Sequence, residues 1–392
     1  MLLNNSSTML KDAAQLLNSE EAETPLVKEA RRIMEVCNSC RYCGGFCAVF
    51  PAMELRRSFS RGDLEYLSNL CHNCTSCFHA CQYAPPQEFD INNPKIMAEL
   101  RAETYEKYAW PAPLAKLFHR NGTVMSLIVA FSVMAVLILT FMLQSKNVIF
   151  SAYQGANSFY QIIPYNVMIG VPIVIMAFSV FALFMGVIRF ARGTGWKMSE
   201  MMNPALMTRA IIDVLLLRYL GGAGDGCNYE DDTFSHKRRY FHQTLFFGFM
   251  LCVASTTAAA IYDHIFHWPA PYPLTSFPVV SGTLGGVGLL IGTSGLFWTK
   301  MKRDKRPLSE SLLGMDISFM LVLFLTSLSG LLLLFMRENT MMGSLLILHL
   351  GLVAGLFITL PYSKFVHAIY RFAALVRYAG EKRSNPRGDG IV

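Results

Sequence analysis

Charge is scarce in this chain. Only 16% of its 392 residues are Asp, Glu, Lys or Arg, while 53% are hydrophobic. With a mean hydropathy of +0.35, a wholly soluble fold is excluded. The familiar nucleotide and nucleophile motifs are also missing: no P-loop, no nucleophile elbow, and no dinucleotide glycine pattern after a strand. The Gly-rich run GGAGDG (221–226) follows no strand and reads as a flexible connector. The first 25 residues, MLLNNSSTMLKDAAQLLNSEEAETP, have no charged n-region and apolar h-region, so no signal peptide is expected. The formal net charge is +7, yet no basic stripe interleaves with exposed aromatics, which argues against nucleic acid.

The apolar residues are unevenly spread. Residues 1–110 are polar, and long apolar runs begin near Gly122. Six of them reach the roughly 20 residues needed to cross about 30 Å of hydrocarbon: Gly122–Leu143, Val167–Ile188, Thr244–Ile265, Val279–Thr299, Met315–Met336 and Gly343–Leu360. Basic residues gather in alternate loops. Arg189, Arg192, Lys197 and Lys237–Arg239 lie in one, Lys300–Arg306 supplies five in the next, and Arg371–Arg387 populates the end. The other loops hold only Lys146 and Arg337, so both termini are expected in the cytoplasm. Pro204–Leu220 is too short to span and carries Asp213 at its middle. It is expected to lie in the interface, with Arg209 and Asp213 paired four apart.

Cysteine is where the chemistry lies. Eight of ten cysteines form a duplicated C-x2-C-x2-C-x3-C: Cys37, Cys40, Cys43 and Cys47, then Cys71, Cys74, Cys77 and Cys81, each 34 positions after its counterpart. In reducing cytoplasm such clusters bind metal rather than form disulfides. Structural zinc uses two separated C-x2-C pairs and has no need of the third cysteine. The x2, x2 spacing suits three corners of a [4Fe–4S] cube, and in two-cluster ferredoxins the fourth cysteine serves the other cluster. The expected sets are Cys37, Cys40, Cys43 and Cys81 for one cluster, and Cys71, Cys74, Cys77 and Cys47 for the second. His72 and His79 lie between ligands and read as packing or hydrogen-bonding neighbours. The link AVFPAMELRRSFSRGDLEYLSNL reads as helical, so the domain resembles the α-helical ferredoxin of succinate dehydrogenase and heterodisulfide reductase iron–sulfur subunits. Cys227 stands alone and reads as an incidental thiol.

Ionisable residues at membrane depth are candidates for function. His349 and His367 are 18 apart, five turns of one helix, and so share a face. His242 opens the third span, and His264 and His267 close it. Two levels of facing histidines are expected, His242 with His367 and His264 (or His267) with His349. Each could hold a haem b.

The paired cysteine motifs and the segment DGCNYEDDTFSHKRRYFHQTLFFGF (225–249) resemble the tricarballylate utilization protein B family, also described as the citrate-utilization B type, over residues 26 to 380. The later spans also resemble the haem-bearing γ subunit of respiratory nitrate reductase. The resemblance implies an oxidoreductase component in a bacterial inner membrane. It would reoxidise the FAD of a separate tricarballylate dehydrogenase and pass electrons through two [4Fe–4S] clusters and haem b to quinone. Related sequences often have two adjacent histidines where this chain has Phe241–His242. The alternatives are a quinol-oxidising subunit and a membrane anchor or transporter with structural clusters; the six spans show no clear repeat, which speaks against a transporter. The expected architecture is all-α. A polar tail (1–25) precedes a ferredoxin-like domain (26–110), a six-helix membrane domain (120–380) with an interfacial helix near 204–220, and a final tail (381–392).

Overall fold

Helix-starting and helix-stopping residues partition the first hundred residues. In the computed structural model, which describes residues 23–118, 121–196, 198–222, 226–228, 234–309 and 312–384, helix α1 spans Pro25–Cys40. Thr24 caps it, Pro25 occupies its first position, and Arg41 ends it in the left-handed region. Helix α2 is Val49–Glu54. Helix α3, Arg61–Leu70, begins with a reciprocal capping box between Ser60 and Asp63. The short α4, Ser76–His79, and the longer α5, Asn93–Tyr108, complete this part. The expected helical link between the cysteine groups is therefore α2 and α3. Of the tails expected at 1–25 and 381–392, residues 1–22 and 385–392 lie outside the described residues, and 381–384 continue the last helix.

The remaining long helices are α6 (Asn121–Leu143), α7 (Tyr165–Gly193), α8 (Pro204–Leu215), α9 (Lys237–His264), α10 (Phe277–Met301), α11 (Leu313–Phe335), α12 (Met342–Thr359) and α13 (Val366–Ser384). Six helices among the described residues are long and apolar enough to cross a membrane: α6, α7, α9, α10, α11 and α12 with its following turn. Each matches one expected run, and Thr244–Ile265 and Met315–Met336 pass the end of their helices by one residue. Apart from a two-residue ladder, Cys227–Asn228 against Phe234–Ser235, the described residues contain helices, turns and loops and no other strand.

Helices α9 and α10 touch backbone to backbone. A Cβ on Gly248 would lie 2.9 Å from the Gly285 carbonyl oxygen, and one on Gly285 would lie 2.7 Å from that of Gly248. Lipid tails are as apolar as leucine, so close approach through small residues is what holds such helices together. Gly248→Leu is expected to cost roughly 3 kcal/mol through overpacking, seen as a lower melting temperature in detergent. Gly170→Ala, which would meet nothing within 4 Å, should leave the melt unchanged.

One expectation is corrected here. A single helix was expected to carry both His349 and His367. The chain instead breaks after Thr359 into a tight turn, Leu360–Tyr362, and an extended Ser363. Pro361 supplies no backbone donor and disfavours helix before it. His367 therefore belongs to α13. This helix joins the two halves: Ala373, Ala374, Leu375 and Val376 are fully buried in one core with Ile33, Leu64, Tyr66 and Met97 of the first domain and with Phe190, Leu206 and Ala210 of the second. Charges fix it there. Arg56 bonds Asp63 (2.7 Å) and Glu381 (2.5 Å), and Arg377 bonds Glu381 (3.0 Å). Both guanidiniums lie over the Tyr66 ring. Burial would raise the Asp63 carboxyl, but the Ser60 hydroxyl and Arg56 outweigh it and hold it below its ordinary value.

Helix α8 packs one face on α13, burying Leu206 and Ala210, and leaves Ile211, Ile212 and Leu215 exposed. Asp213, however, pairs with Arg218 at 3.2 Å rather than with Arg209. Leu217 takes a left-handed backbone after the helix ends, and this turn brings Arg218 back over Asp213.

Candidate functional site

The eight cysteines converge within the first domain. Cys37, Cys40, Cys43 and Cys81 line one cavity of about 230 Å³, with Cys77 on its wall. The thiol of Cys37 has those of Cys43, Cys81 and Cys40 as neighbours. Cys47 lies against Cys74 and Cys71, and Cys77 against Cys74, Cys71 and Cys47. The fourth cysteine of each motif thus sits with the other motif's first three. Burial, then the neighbouring thiols, pushes Cys37 and Cys43 up to about 12, so filling the site with metal would release protons. Backbone amides already aim at the sulfurs: the Asn73 N–H reaches Cys71 Sγ at 3.4 Å. Among the described residues, no three His, Cys, Asp or Glu side chains close on one point as ligands of a single ion would. The thiols surround a space instead, and four soft thiolate donors so arranged fit an iron–sulfur cube.

A second cavity, of about 220 Å³, lies between this domain and the spans. His72, His242, His367, Arg101, Arg238 and Arg371 all line it. The rings of His242 and His367 are perpendicular, with centroids 6.2 Å apart. The Nδ1–H of His367 donates to the Lys364 carbonyl, which leaves the Nε2 lone pair free. That is the arrangement of a metal-bound imidazole. The Nδ1 of His242 is buried without a hydrogen-bond partner among the described residues. His72 repeats the pattern, its Nδ1 on the Leu70 carbonyl at 2.9 Å. Burial, then Arg371, holds His72 and His367 well below the ordinary imidazole value, so both stay neutral. The imidazoles of His242 and His367, facing across a cavity, fit an axial pair for haem.

The other histidines are not brought together. His349 is held on α11, its Nδ1 3.1 Å from Ser329 Oγ and its ring against Gly330. His264 is exposed at the end of α9, 3.2 Å from the Tyr165 hydroxyl, and His267 is exposed beyond it. His349 lies seven residues inside α12, roughly 10 Å deeper than the helix end at 1.5 Å per residue. The expected outer pair is therefore separated in depth.

Several participants escaped the sequence reading. Arg238 precedes His242 by four residues and Arg371 follows His367 by four. The guanidinium of Arg371 donates to the Cys71 carbonyl at 2.8 Å, and that of Arg238 to the Asn73 carbonyl at 2.6 Å. The repeated four-residue spacing was a usable signal. Asp316 joins Lys300 and Lys364 in a half-buried triad on the cavity wall. The expected flexible connector is tied down at both described ends: Gly222 abuts Ser76, and Gly226 accepts from the Ser76 hydroxyl at 3.2 Å. Cys227 is buried beside Cys74, so its surroundings are those of the second cysteine group.

Six membrane helices under a helical, ferredoxin-like cysteine domain define a multi-pass membrane protein of the iron–sulfur type. The profile described as "Citrate utilization protein B" matches residues 113–388, and that described as "Citrate utilization protein B Fer4-like domain" matches residues 30–107. The chain belongs to the citrate utilization protein B family. A relative from Escherichia coli named "Citrate utilization protein B" is 45% identical over 377 residues, covering 95% of this chain and 97% of that one. No solved structure matches significantly.

Proposed function

We propose that this chain carries electrons from the reduced FAD of a partner dehydrogenase, tricarballylate dehydrogenase in the first instance, to membrane quinone. Its carriers are two [4Fe–4S] clusters and one haem b. The observation that carries the reading is the adjacency of the two sites: the Cys71–Asn73 loop is bonded by arginines one turn from His242 and His367. Cys37, Cys40, Cys43 and Cys81 would hold one cluster, and Cys71, Cys74, Cys77 and Cys47 the other. His242 and His367 would be the axial pair. These groups supply one-electron chemistry when bound.

The protein's own part is spacing and tuning. Amides such as that of Asn73 stabilise charge on the sulfurs, and burial excludes solvent. His367, oriented by the Lys364 carbonyl, presents one nitrogen to the cavity. The distribution of Lys and Arg supports a cytoplasmic cysteine domain in a bacterial inner membrane, where a soluble flavoprotein can dock. The relative's name, and the family's, support a place in the use of citrate or tricarballylate.

The test is spectroscopic. Protein purified without oxygen should show cluster EPR signals and a b-type α-band on reduction. Adding the reduced flavoprotein should reduce the clusters, and a quinone analogue should then reoxidise them. Clusters that the flavoprotein leaves oxidised would sink the proposal. Clusters that only quinol reduces would reverse its direction.

A further inference from the structure

The cavity holding His242 and His367 has more positive charge than its own residues balance. Asp316 is its one acidic lining residue among those described, and it is engaged by both Lys300 and Lys364. Arg101, Arg238 and Arg371 also line the space. Among the described residues none of the three has a carboxylate partner; their hydrogen bonds run to backbone carbonyls, with the Tyr105 side chain a further neighbour of Arg101. Arg101 reaches those of Ser68 (3.2 Å) and Cys71 (2.6 Å). Arg371 and Arg238 reach those of Cys71 and Asn73. Arg101 is only 3% exposed, and the Nε of Arg371 is buried with no acceptor among the described residues. A carbonyl dipole does not neutralise a buried guanidinium, so an anion is called for.

Position says which anion. Residues four apart on a helix stack on one face. Arg238 therefore stands one turn from His242, and Arg371 one turn from His367, each displaced toward the cysteine domain. Two helices thus present an imidazole and a guanidinium in the same order. The arginines contact carbonyls of the Cys71–Asn73 loop and no sulfur, so each keeps donors for a second acceptor. Planar guanidinium forks suit carboxylates.

We propose that Arg238 and Arg371 bind the two carboxylates of the tetrapyrrole whose axial ligands are His242 and His367. The inference rests on the haem assignment of the proposed function. It adds that the carboxylate edge, rather than the apolar edge, faces the Cys71–Asn73 loop. The second cysteine group and the haem are then joined through two arginines, each bonded to both sides.

The experiment uses the full-length protein in membranes from cells unable to make haem, loaded with haem or with haem dimethyl ester, whose carboxylates are blocked. The readout is the b-type difference spectrum against added ligand. Wild type should bind the ester at least about ten-fold more weakly, the loss expected for two charge-assisted contacts. In the double variant Arg238→Gln/Arg371→Gln that preference should vanish, with the ester still bound; retained ester binding shows that the fold survives. Lysine at both positions should restore part of the preference. Equal binding of haem and ester by wild type would overturn this inference while leaving the axial pair intact. An unchanged preference in the double variant would also overturn it. A wild type that takes up neither ligand would overturn the haem assignment as well.

Discussion

Replacing His367 with leucine is expected to abolish the b-type α-band while leaving the iron–sulfur EPR signals in place. The two sites use ligands from different elements, so the loss should be confined. His367 stands at the start of α13, its Nδ1 tied to the Lys364 carbonyl and its ring facing His242 across the cavity. Leucine fills a similar volume but offers no lone pair. His349→Leu should leave the haem spectrum at full amplitude, because that ring rests on Ser329 and Gly330 with no facing histidine in the described residues. The comparison is decisive because the sequence offers both histidines on equal terms. Loss of the band in His349→Leu, with the band retained in His367→Leu, would refute the assigned pair.

Asp316→Asn is expected to be the most destabilising single substitution at the junction. The carboxylate receives the Lys300 ammonium on one oxygen and that of Lys364, at 2.8 Å, on the other. Through these bonds α11 is fastened to the end of α10 and to the segment just before α13. An amide leaves two partly buried ammonium groups without their counter-charge, that of Lys364 with Arg101 and Arg371 nearby. Removing one partner of a fully buried charge pair costs about 3–5 kcal/mol, and these side chains keep some exposure, so a loss of about 2 kcal/mol and a lower melting temperature in detergent are expected. Removing all the charges is different. In a triple variant, Asp316→Leu/Lys300→Met/Lys364→Met, the desolvation penalty disappears together with the attraction, and stability should recover to near wild type. A triple variant as unstable as Asp316→Asn would mean that packing, rather than charge, makes the site sensitive.

Much of this was readable in the chain. The six spans announced themselves because hydrocarbon accepts only long, charge-poor helices. The crossed cysteine sets are a proposal read from the spacing, and the neighbours of Cys43 (Cys81) and of Cys47 (Cys74 and Cys71) support it. What escaped was set by tertiary contact. Nothing local marks α13 as part of the first domain's core; its membership depends on Asp63, Arg56 and Tyr66, three hundred residues earlier. The pairing of Asp213 depends on a left-handed Leu217, which no propensity foretells. The break before Ser363 was visible in principle, since Pro361 stood in the run. The 18-residue histidine spacing outweighed it in the reading, because that spacing fits one straight helix so well.

The bonds of Glu381 to Arg56 span 325 positions of the chain, and this sets an order of events during synthesis. At about 5–20 residues per second, roughly 16 to 65 seconds separate the emergence of the first partner from that of the last. All six hydrophobic helices are made within that interval. The cysteine-bearing domain must therefore wait, one face of its core uncovered, until the membrane helices have been inserted and the last helix arrives. The buried Ala373–Val376 face of the last helix completes that core, so the first domain made is among the last to be finished.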